Sequence, residues 1–248
     1  MRVEADVTAG RRNTDLPIGI PRGIEVVVAL LALVAVAPII ALAAIAIAIG
    51  SHGPILFRQQ RVGRNGCTFV LYKLRTMRSA AMGPQVTAGD DPRVTRIGRI
   101  LRKSKMDELP EFWNVLRGDM SLVGPRPEMP SYVTLDCPTW QLVLRARPGL
   151  TDPVTLRLRN EESLLAGVPG DREAFYLDTL QPFKLLGYAE YLQERSWCSD
   201  VKILLKTVRA VILPDKAPLP TLDEIKAHAQ RHRVGGNCCC AVTSRSSN

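Results

Sequence analysis

Two adjacent acids, Asp107 and Glu108, are the residues of this sequence best suited to chemistry on a phosphate. Arg102 and Lys105 precede them, and the apolar spacing that follows predicts a helix beginning near Asp107, with Pro110 in its first turn. Cations and a helix N-terminus keep a carboxylate ionised and attract phosphate. One carboxylate can then attack phosphorus to form an acyl phosphate, while the other binds Mg²⁺ at a diphosphate. A plain N-cap at Asp107 is the structural alternative.

A further cation follows in the loop GDMSLVGPRPE, where two prolines flank Arg126. This rigid frame would fix the Arg126 guanidinium for a bidentate contact with phosphate. Asp119 and Glu128 belong to the same loop and bring carboxylates close to the predicted helix. A surface arginine in a proline-rich turn is the alternative interpretation.

One segment that must position these residues has an unusual composition. From Val26 to Ile49 the chain carries no charge and consists almost entirely of Ala, Val, Ile and Leu, which as a helix would measure about 36 Å. A cleaved signal peptide, a spanning helix and a re-entrant helix are the three interpretations. Arginines on both flanks favour a cytoplasmic location for both ends, and Pro38 near the middle can break the helix into a re-entrant dip.

The remaining pattern predicts a short hairpin and several helices. Residues 53–77 contain two apolar runs separated by a glycine turn, which indicates a two-stranded excursion. Residues 91–105 predict a basic amphipathic helix of the kind that lies on an anionic membrane surface, and 118–130 predict a loop. Further helices are predicted at 161–166, 171–179, 184–195 and 200–212.

The composition of the chain favours certain classes of binding partner without selecting one of them. Lys and Arg outnumber Asp and Glu by 33 to 24 in 248 residues, and the resulting charge of +9 favours nucleic acid, anionic lipid or nucleotides. The six cysteines show no spacing suited to zinc and indicate a reducing, cytosolic environment. Cys238, Cys239 and Cys240 lie in a polar tail for which we predict no function.

Taken together, the motifs resemble those of one protein family. The segments GPILFRQQRVGRNG, FVLYKLRTM, TAGDDPRVTRIGRILRKSKMDELPEFWNVLRGDMSLVGPRPE and RPGLT are similar to segments of the bacterial sugar transferases, the monotopic phosphoglycosyl transferases. The resemblance implies transfer of a hexose 1-phosphate from a UDP-sugar to a polyprenyl phosphate, typically undecaprenyl phosphate, with Mg²⁺ and release of UMP. This reaction is the first membrane step in building an exopolysaccharide, capsule, O-antigen or glycoprotein glycan.

The resemblance also implies roles for individual residues. Asp107 matches the nucleophile, Glu108 matches its metal-binding partner, and Pro38 matches the break in the membrane helix. The residues matched to phosphate binding are basic: Lys73, Arg75, Arg102, Arg126 and Arg147. After RPGLT the chain departs from many relatives with Asp152 and Pro153, so the resemblance does not specify the sugar.

We therefore expect an α/β fold, mostly α, in which a re-entrant membrane helix and interfacial amphipathic helices carry a compact cytosolic catalytic domain. The expected boundaries are a flexible leader at 1–20, the membrane helix at 21–52, the catalytic domain at 53–214 and a disordered tail at 215–248. The expected location is the cytoplasmic side of a bacterial inner membrane.

The oligomeric state and one rival function stay open at this point. An apolar membrane hairpin can pack on a second copy, so a homodimer is an alternative to a monomer. Nucleic acid is not an expected partner of the enzyme. The rival function is a non-catalytic, membrane-tethered adaptor whose basic helix binds anionic lipid or RNA.

Overall fold

A computed structural model describes residues 16–78, 86–213 and 220–226 of the chain, and most of them are helical. The helices and strands, in chain order, are α1 (Arg22–Gly50), β1 (Leu56–Val62), β2 (Thr68–Leu74), α2 (Arg96–Lys103), α3 (Glu111–Arg117), β3 (Ser121–Val123), α4 (Pro138–Val143), β4 (Gly149–Thr151), α5 (Pro153–Arg157), α6 (Glu161–Ala166), α7 (Arg172–Phe175), α8 (Gln181–Glu194) and α9 (Trp197–Ile212). A π-helical turn, Tyr176–Leu180, joins α7 to α8. The predicted mostly helical fold is confirmed.

Helix α1 is the one helix in the described ranges that is long and apolar enough to cross a membrane. It has 29 residues, and helical conformation continues on both sides of Pro38. Leu31, Val34 and Leu42 in its middle part are 65%, 66% and 69% exposed, respectively. Because so much apolar surface would be unfavourable in water, the middle of α1 is suited to lipid.

The N-terminal end of α1 is fastened to the domain that follows it. Arg22 donates hydrogen bonds to the backbone carbonyls of Val115 in α3 and Met120. Glu25 is only 2% exposed, and its Oε1 accepts a hydrogen bond of 3.1 Å from the backbone N–H of Leu122 in β3. These contacts join α1 to the segment that leads into the Pro-Arg-Pro loop.

The C-terminal end of α1 is fastened to the same domain by different contacts. Ala43 and Ile47 pack with Leu74 of β2 and Leu101 of α2 in a small apolar cluster. Hydrogen bonds hold the residues just beyond the helix, as described below for Arg75. The two ends of α1 therefore contact one domain, while its middle part projects away from the core.

Strands β1 and β2 form the predicted two-stranded excursion. They pair antiparallel, with Phe57 opposite Lys73 and Arg61 opposite Phe69. The connecting turn places Asn65 at φ 57° and Gly66 at φ 77°, a left-handed conformation that Asn and Gly tolerate well. Because directly opposed side chains project from the same face of a sheet, this register decides which residues share the surface of Lys73.

The helices around the two acids are shorter than the sequence predicts. Helix α2 begins at Arg96 rather than at 91, because Thr95 caps it by accepting a hydrogen bond of 2.9 Å from the Gly98 N–H. Lys105 then adopts φ 57°, which ends the helical path. Helix α3 begins at Glu111, so the prediction of a helix starting near Asp107 is wrong, and that acid lies in the 3₁₀ turn Met106–Glu108.

The loop predicted at 118–130 contains the short strand β3, which pairs with β4 in parallel. The pairing brings two motifs into direct backbone contact, since a Cβ at Gly149 would collide with the backbone of Gly124. Only glycine permits such a close approach at this position. The RPGLT motif therefore packs directly against the backbone at the start of the Pro-Arg-Pro loop.

Parts of the predicted leader and tail belong to the core. Ile20 is 8% exposed, and its N–H donates to Asp200 Oδ2 at 3.2 Å. Ile225 is completely buried in the main apolar cluster. At these positions the structure corrects the sequence prediction, because apolar residues outside the catalytic segment still find core partners. The rest of the leader (1–15) and most of the tail, including Cys238 to Cys240, lie outside the described residues.

Candidate active site

A cavity of about 1260 Å³ lies between the β1–β2 hairpin, the Pro-Arg-Pro loop and helices α6, α8 and α9. Most of the predicted site residues line it: Lys73, Arg75, Arg102, Asp107, Glu108 and Arg126. Arg147 is not among its lining residues, and Pro38 lies within α1. The structure therefore gathers the two acids and four of the predicted basic residues around one space.

Asp107 is a buried carboxylate that its surroundings leave unsatisfied. Its side chain is 7% exposed, and Oδ1 is buried without a hydrogen-bond partner. Burial raises the pKa of Asp107 to about 6, and the neighbouring charge of Glu108 contributes in the same direction, against the opposing effect of Lys73. A buried oxygen without a partner is costly, and such sites are often functional.

Glu108 is held by two cations. Lys73 Nζ lies 3.1 Å from Glu108 Oε1, and Arg126 donates to both carboxylate oxygens. Burial would raise the pKa of Glu108, but the charges of Arg126 and Lys73 outweigh it and hold the pKa well below the usual value. The two adjacent acids thus have pKa values shifted in opposite directions, lowered for Glu108 and raised for Asp107.

The sequence interpretation missed a third carboxylate in this cluster, Glu111. It is 1% exposed, and its Oε1 lies 3.2 Å from Lys73 Nζ, so Lys73 is shared between Glu108 and Glu111. Burial raises the pKa of Glu111 despite the lysine. Its position three residues after Glu108 was the available signal, because that spacing places two side chains on one side of a helical turn.

Arg102 and Arg75 already have partners in the protein. Arg102 donates from Nε to Thr76 Oγ1 and from Nη1 to Glu162 Oε1, both at 2.9 Å. The Arg75 guanidinium donates to the carbonyls of Ser51 at 2.7 Å and His52 at 2.8 Å, just beyond the end of α1. Arg102 thus reaches the cavity from α2, whereas the contacts of Arg75 attach the domain to the C-terminal end of α1. Phosphate binding by either residue stays a prediction.

A second buried polar cluster lines the far side of the same cavity. Glu128 Oε1 accepts a hydrogen bond from the Tyr176 hydroxyl and lies 3.2 Å from Lys184 Nζ, and Glu128 Oε2 lies 3.9 Å from Arg61. Lys184 Nζ also lies 3.5 Å from Glu161. Burial would raise the pKa of Glu128, but Lys184 and Arg61 overcome it and lower the pKa.

Sequence reasoning recognised only Glu128 in this second cluster. Its other members come from segments far apart in the chain, and no single motif joins them. Lys184 lies between Phe183 and Leu185 in α8, and a lysine enclosed by apolar neighbours was the one available sign of a buried cation.

The residues at the first cluster suit a magnesium ion bound together with a diphosphate. Within the described part of the chain, no group of three or more His, Cys, Asp or Glu residues is placed to hold a metal. Mg²⁺ commonly binds to only one or two carboxylates plus substrate phosphates and water, so a complete protein cage is not required. The ionised Glu108 and the unpartnered Oδ1 of Asp107 fit that type of site.

Comparison with known proteins identifies the family to which this chain belongs. Residues 18–214 match the family model described as Bacterial sugar transferase. The chain belongs to the bacterial sugar transferase family. The match spans every helix and strand described above, and it includes both carboxylate clusters.

Three relatives are similar in sequence to this chain over more than three quarters of its length. The UDP-glucose:undecaprenyl-phosphate glucose-1-phosphate transferase of Caulobacter vibrioides is 43% identical over 202 residues, covering 79% of this chain and 71% of the relative. The UDP-N-acetylgalactosamine-undecaprenyl-phosphate N-acetylgalactosaminephosphotransferase of Aeromonas hydrophila is 33% identical over 198 residues, covering 78% of this chain and 44% of the relative. The exopolysaccharide production protein ExoY of Sinorhizobium fredii is 34% identical over 209 residues, covering 77% and 85%.

Proposed function

We propose that this bacterial sugar transferase moves a sugar 1-phosphate from a UDP-sugar to undecaprenyl phosphate and so initiates the assembly of a surface polysaccharide. The environment of Asp107 is the observation that supports the proposal most strongly. Its buried carboxylate has an oxygen without a hydrogen-bond partner and a raised pKa, and it lies among cations in a large cavity. The names of the relatives support the two substrate classes, although they include different sugars.

In the first step, Asp107 acts as the nucleophile. Its carboxylate oxygen attacks the phosphorus that bears the sugar, and the bond from that phosphorus to the bridging oxygen of the diphosphate breaks. UMP leaves with the bonding electrons, and the phosphosugar stays on Asp107 as an acyl phosphate. No proton transfer to the leaving group is required, because a phosphate anion is a stable leaving group.

The cations around Asp107 provide the electrostatic support for this step. Lys73 and Arg126 lie on Glu108 in the free enzyme, and Arg102 approaches from α2, so all three can turn toward substrate phosphates. Glu108, with Asp107 close by, would hold Mg²⁺ at the diphosphate. When bound, the ion would neutralise charge that develops on the phosphate oxygens.

In the second step, the lipid acceptor regenerates the enzyme. A phosphate oxygen of undecaprenyl phosphate attacks the same phosphorus, and the acyl phosphate bond to Asp107 breaks. The carboxylate returns to its starting state, and the product is a lipid diphosphate that carries the sugar. Two successive displacements at one residue allow a soluble donor and a membrane-held acceptor to use the cavity in turn.

The arrangement of α1 supports a re-entrant topology. Both of its ends contact the catalytic domain, through Arg22 at one end and Ile47 at the other. A straight spanning helix would place its two ends on opposite sides of the bilayer, and so we propose that α1 enters and leaves through the cytoplasmic face, where UDP-sugars are available. Pro38 would then mark the turning point, as predicted.

The covalent intermediate provides the decisive test. Purified enzyme in nanodiscs with Mg²⁺ would be mixed with a panel of UDP-sugars labelled in the sugar, without acceptor. We expect one equivalent of label on the protein with one equivalent of UMP released, and discharge of the label on addition of undecaprenyl phosphate.

Asp107→Asn is the control for the trapping experiment, and it should acquire no label. Turnover without labelling of the wild-type protein, or labelling of Asp107→Asn at the wild-type level, would overturn the two-step mechanism. The donor that gives the fastest labelling would identify the sugar.

A further inference from the structure

The start of strand β1 and the residue before it present exposed apolar side chains to the cavity. Ile55, Leu56 and Phe57 are 38%, 37% and 45% exposed, respectively, and all three line the cavity. Single exposed apolar residues are ordinary, but three in succession at a ligand cavity indicate a site that covers them. They follow closely after Gly50, the last residue of α1, so this surface is near the point where the chain leaves the membrane helix.

Phe57 is placed directly beside the catalytic cluster. It is the cross-strand partner of Lys73, and Lys73 Nζ lies 3.1 Å from Glu108 Oε1. Opposed residues in an antiparallel pair have Cβ atoms about 5 Å apart on the same face. The exposed ring of Phe57 therefore lies on the side of the hairpin that faces the phosphate-binding residues.

Helix α9 provides apolar surface from another side of the same cavity. Thr207, Ala210 and Val211 line it, and their spacing of three and four residues places them on one face of the helix. The Oγ1 atoms of Thr207 and Thr151 lie 2.8 Å apart, which fixes α9 against β4. Val211 is 53% exposed at the cavity mouth. Two separate elements thus contribute apolar residues to the lining of the cavity.

We propose that Phe57, together with Ile55 on the same face of the hairpin and Val211, binds the isoprene units next to the phosphate of the lipid acceptor. This inference rests on the proposed function and assigns a site to the acceptor chain. A cavity of about 1260 Å³ exceeds the usual size of a small-molecule site, roughly 300–1,000 Å³, and so has room for a chain beside a nucleotide sugar. A nucleotide base would need one ring to stack upon, whereas a branched hydrocarbon chain can contact several separate apolar side chains of the lining.

The geometry also explains how a membrane lipid would reach Asp107. The apolar surface begins beside the end of α1, and it leads along β1 to the position opposite Lys73. A phosphate at the end of an isoprenoid chain held there would arrive among Lys73 and Arg126. The chain would keep its first units in the protein and the remainder in the bilayer.

The test compares Phe57→Ala with a matched control, Val70→Ala. Val70 is 37% exposed on the same hairpin, but it pairs with Gln60 and does not line the cavity. The acceptors would be farnesyl phosphate and the shorter citronellyl phosphate, both used in detergent so that insertion into a bilayer does not affect the result.

For the wild-type enzyme and Val70→Ala we expect a higher kcat/KM with farnesyl phosphate than with citronellyl phosphate. In Phe57→Ala this chain-length preference should fall by about tenfold, a loss typical of removing apolar contact from a binding site. The rate at which the labelled donor forms the covalent intermediate should stay at the wild-type level, because the donor does not use this surface.

Three outcomes would overturn the inference. An equal loss in the donor step would mean that Phe57 contacts the nucleotide, and an unchanged chain-length preference would mean that it contacts neither substrate. Calorimetric binding of farnesyl phosphate, measured against inorganic phosphate as the headgroup control, keeps the test independent of turnover. Equal binding of farnesyl phosphate by Phe57→Ala and the wild-type protein is the third overturning result, and it is distinct from a failure of the proposed reaction.

Discussion

Two buried carboxylates line one cavity in opposite electrostatic conditions. Asp107 and Glu128 are almost equally buried, at 7% and 6% exposed. Oδ1 of Asp107 has no hydrogen-bond partner, and burial raises its pKa to about 6. Glu128 accepts from Tyr176 and contacts Lys184, and these partners lower its pKa in spite of burial.

The difference shows that burial alone does not identify a reactive acid. A buried charge is costly unless partners satisfy it. The Glu128 carboxylate has such partners, so its cluster has the properties of a structural part of the cavity lining. Asp107 keeps an oxygen without a hydrogen-bond partner at the expense of stability, as catalytic groups often do. The two acids should therefore respond to neutralisation in opposite ways, and the experiments below test that contrast.

The largest expected effect is on turnover in Asp107→Asn. Removal of a nucleophile should lower kcat by about 10⁴-fold or more, measured as UMP release. The same change should raise the melting temperature at pH 8, because it removes a charge whose pKa burial has raised from 3.8 to about 6, worth up to about 3 kcal/mol. A lower melting temperature would show that Asp107 is a structural anion and would remove the contrast.

The next effect is on stability in Glu128→Gln. Neutralising this acid leaves the buried Lys184 ammonium with the more distant Glu161 as its carboxylate partner and with its hydrogen bond to the Tyr176 hydroxyl. The loss of the closer charge should cost about 3 kcal/mol, or roughly 10 °C in melting temperature. The folded-state pKa of Glu128 is lowered, so its contribution is present above the unfolded pKa and is lost as the pH falls. The difference between the wild-type protein and the variant should accordingly shrink at acidic pH in calorimetry.

Lys184→Met combined with Glu128→Gln provides the control for that interpretation. The double variant should recover part of the lost stability, because no unpaired charge stays buried. Additive losses in the two single variants would instead indicate that the cluster contributes packing and no charge pairing.

A smaller effect is expected on the dependence on Mg²⁺ in Glu108→Gln. The midpoint of activation by Mg²⁺ should rise by about tenfold, because the variant lacks the anionic ligand. Glu111→Gln is the matched control, since Glu111 touches the same Lys73 Nζ but does not line the cavity. Equal shifts in the two variants would show that both act through Lys73 and would contradict metal binding by Glu108.

The smallest effect is a gradual loss of the donor step in acid. Attack requires ionised Asp107, so kcat/KM for the donor should be constant above about pH 7 and should fall as the pH drops through about 6. Recovery of the rate after return to pH 8 would distinguish titration from unfolding. A rate that stays constant down to pH 5 would mean that the attacking group titrates lower.

The sequence was sufficient to predict the parts of this protein that depend on local signals. The uncharged run of α1 and the glycine turn between β1 and β2 were both recognised. Helix α2 was overextended because its basic spacing continues before Arg96, whereas the cap at Thr95 depends on three-dimensional geometry. The start of α3 was misplaced because a left-handed residue at Lys105 gives no composition signal.

The site was predictable where its residues lie in recognisable motifs. Asp107 and Glu108 are adjacent in the chain, and Lys73, Arg102 and Arg126 lie in motifs on either side of them. Glu161 and Lys184 come from separate helices, so their contact depends on packing that no single sequence reveals. Arg75 was matched to phosphate binding with Lys73, yet it lies just beyond the end of β2, where its guanidinium donates to carbonyls at the end of α1.

The attachments at the two ends of α1 have a mechanical consequence. Arg22 and Arg75 attach opposite ends of a 29-residue helix to one domain, so contacts within the protein set the position of α1 relative to that domain. Inserting one residue within α1 would rotate the part of α1 that follows the insertion by about 100° and advance it by about 1.5 Å. In the proposed reaction, α1 would thus present the carboxylate of Asp107 to the lipid acceptor at a constant depth.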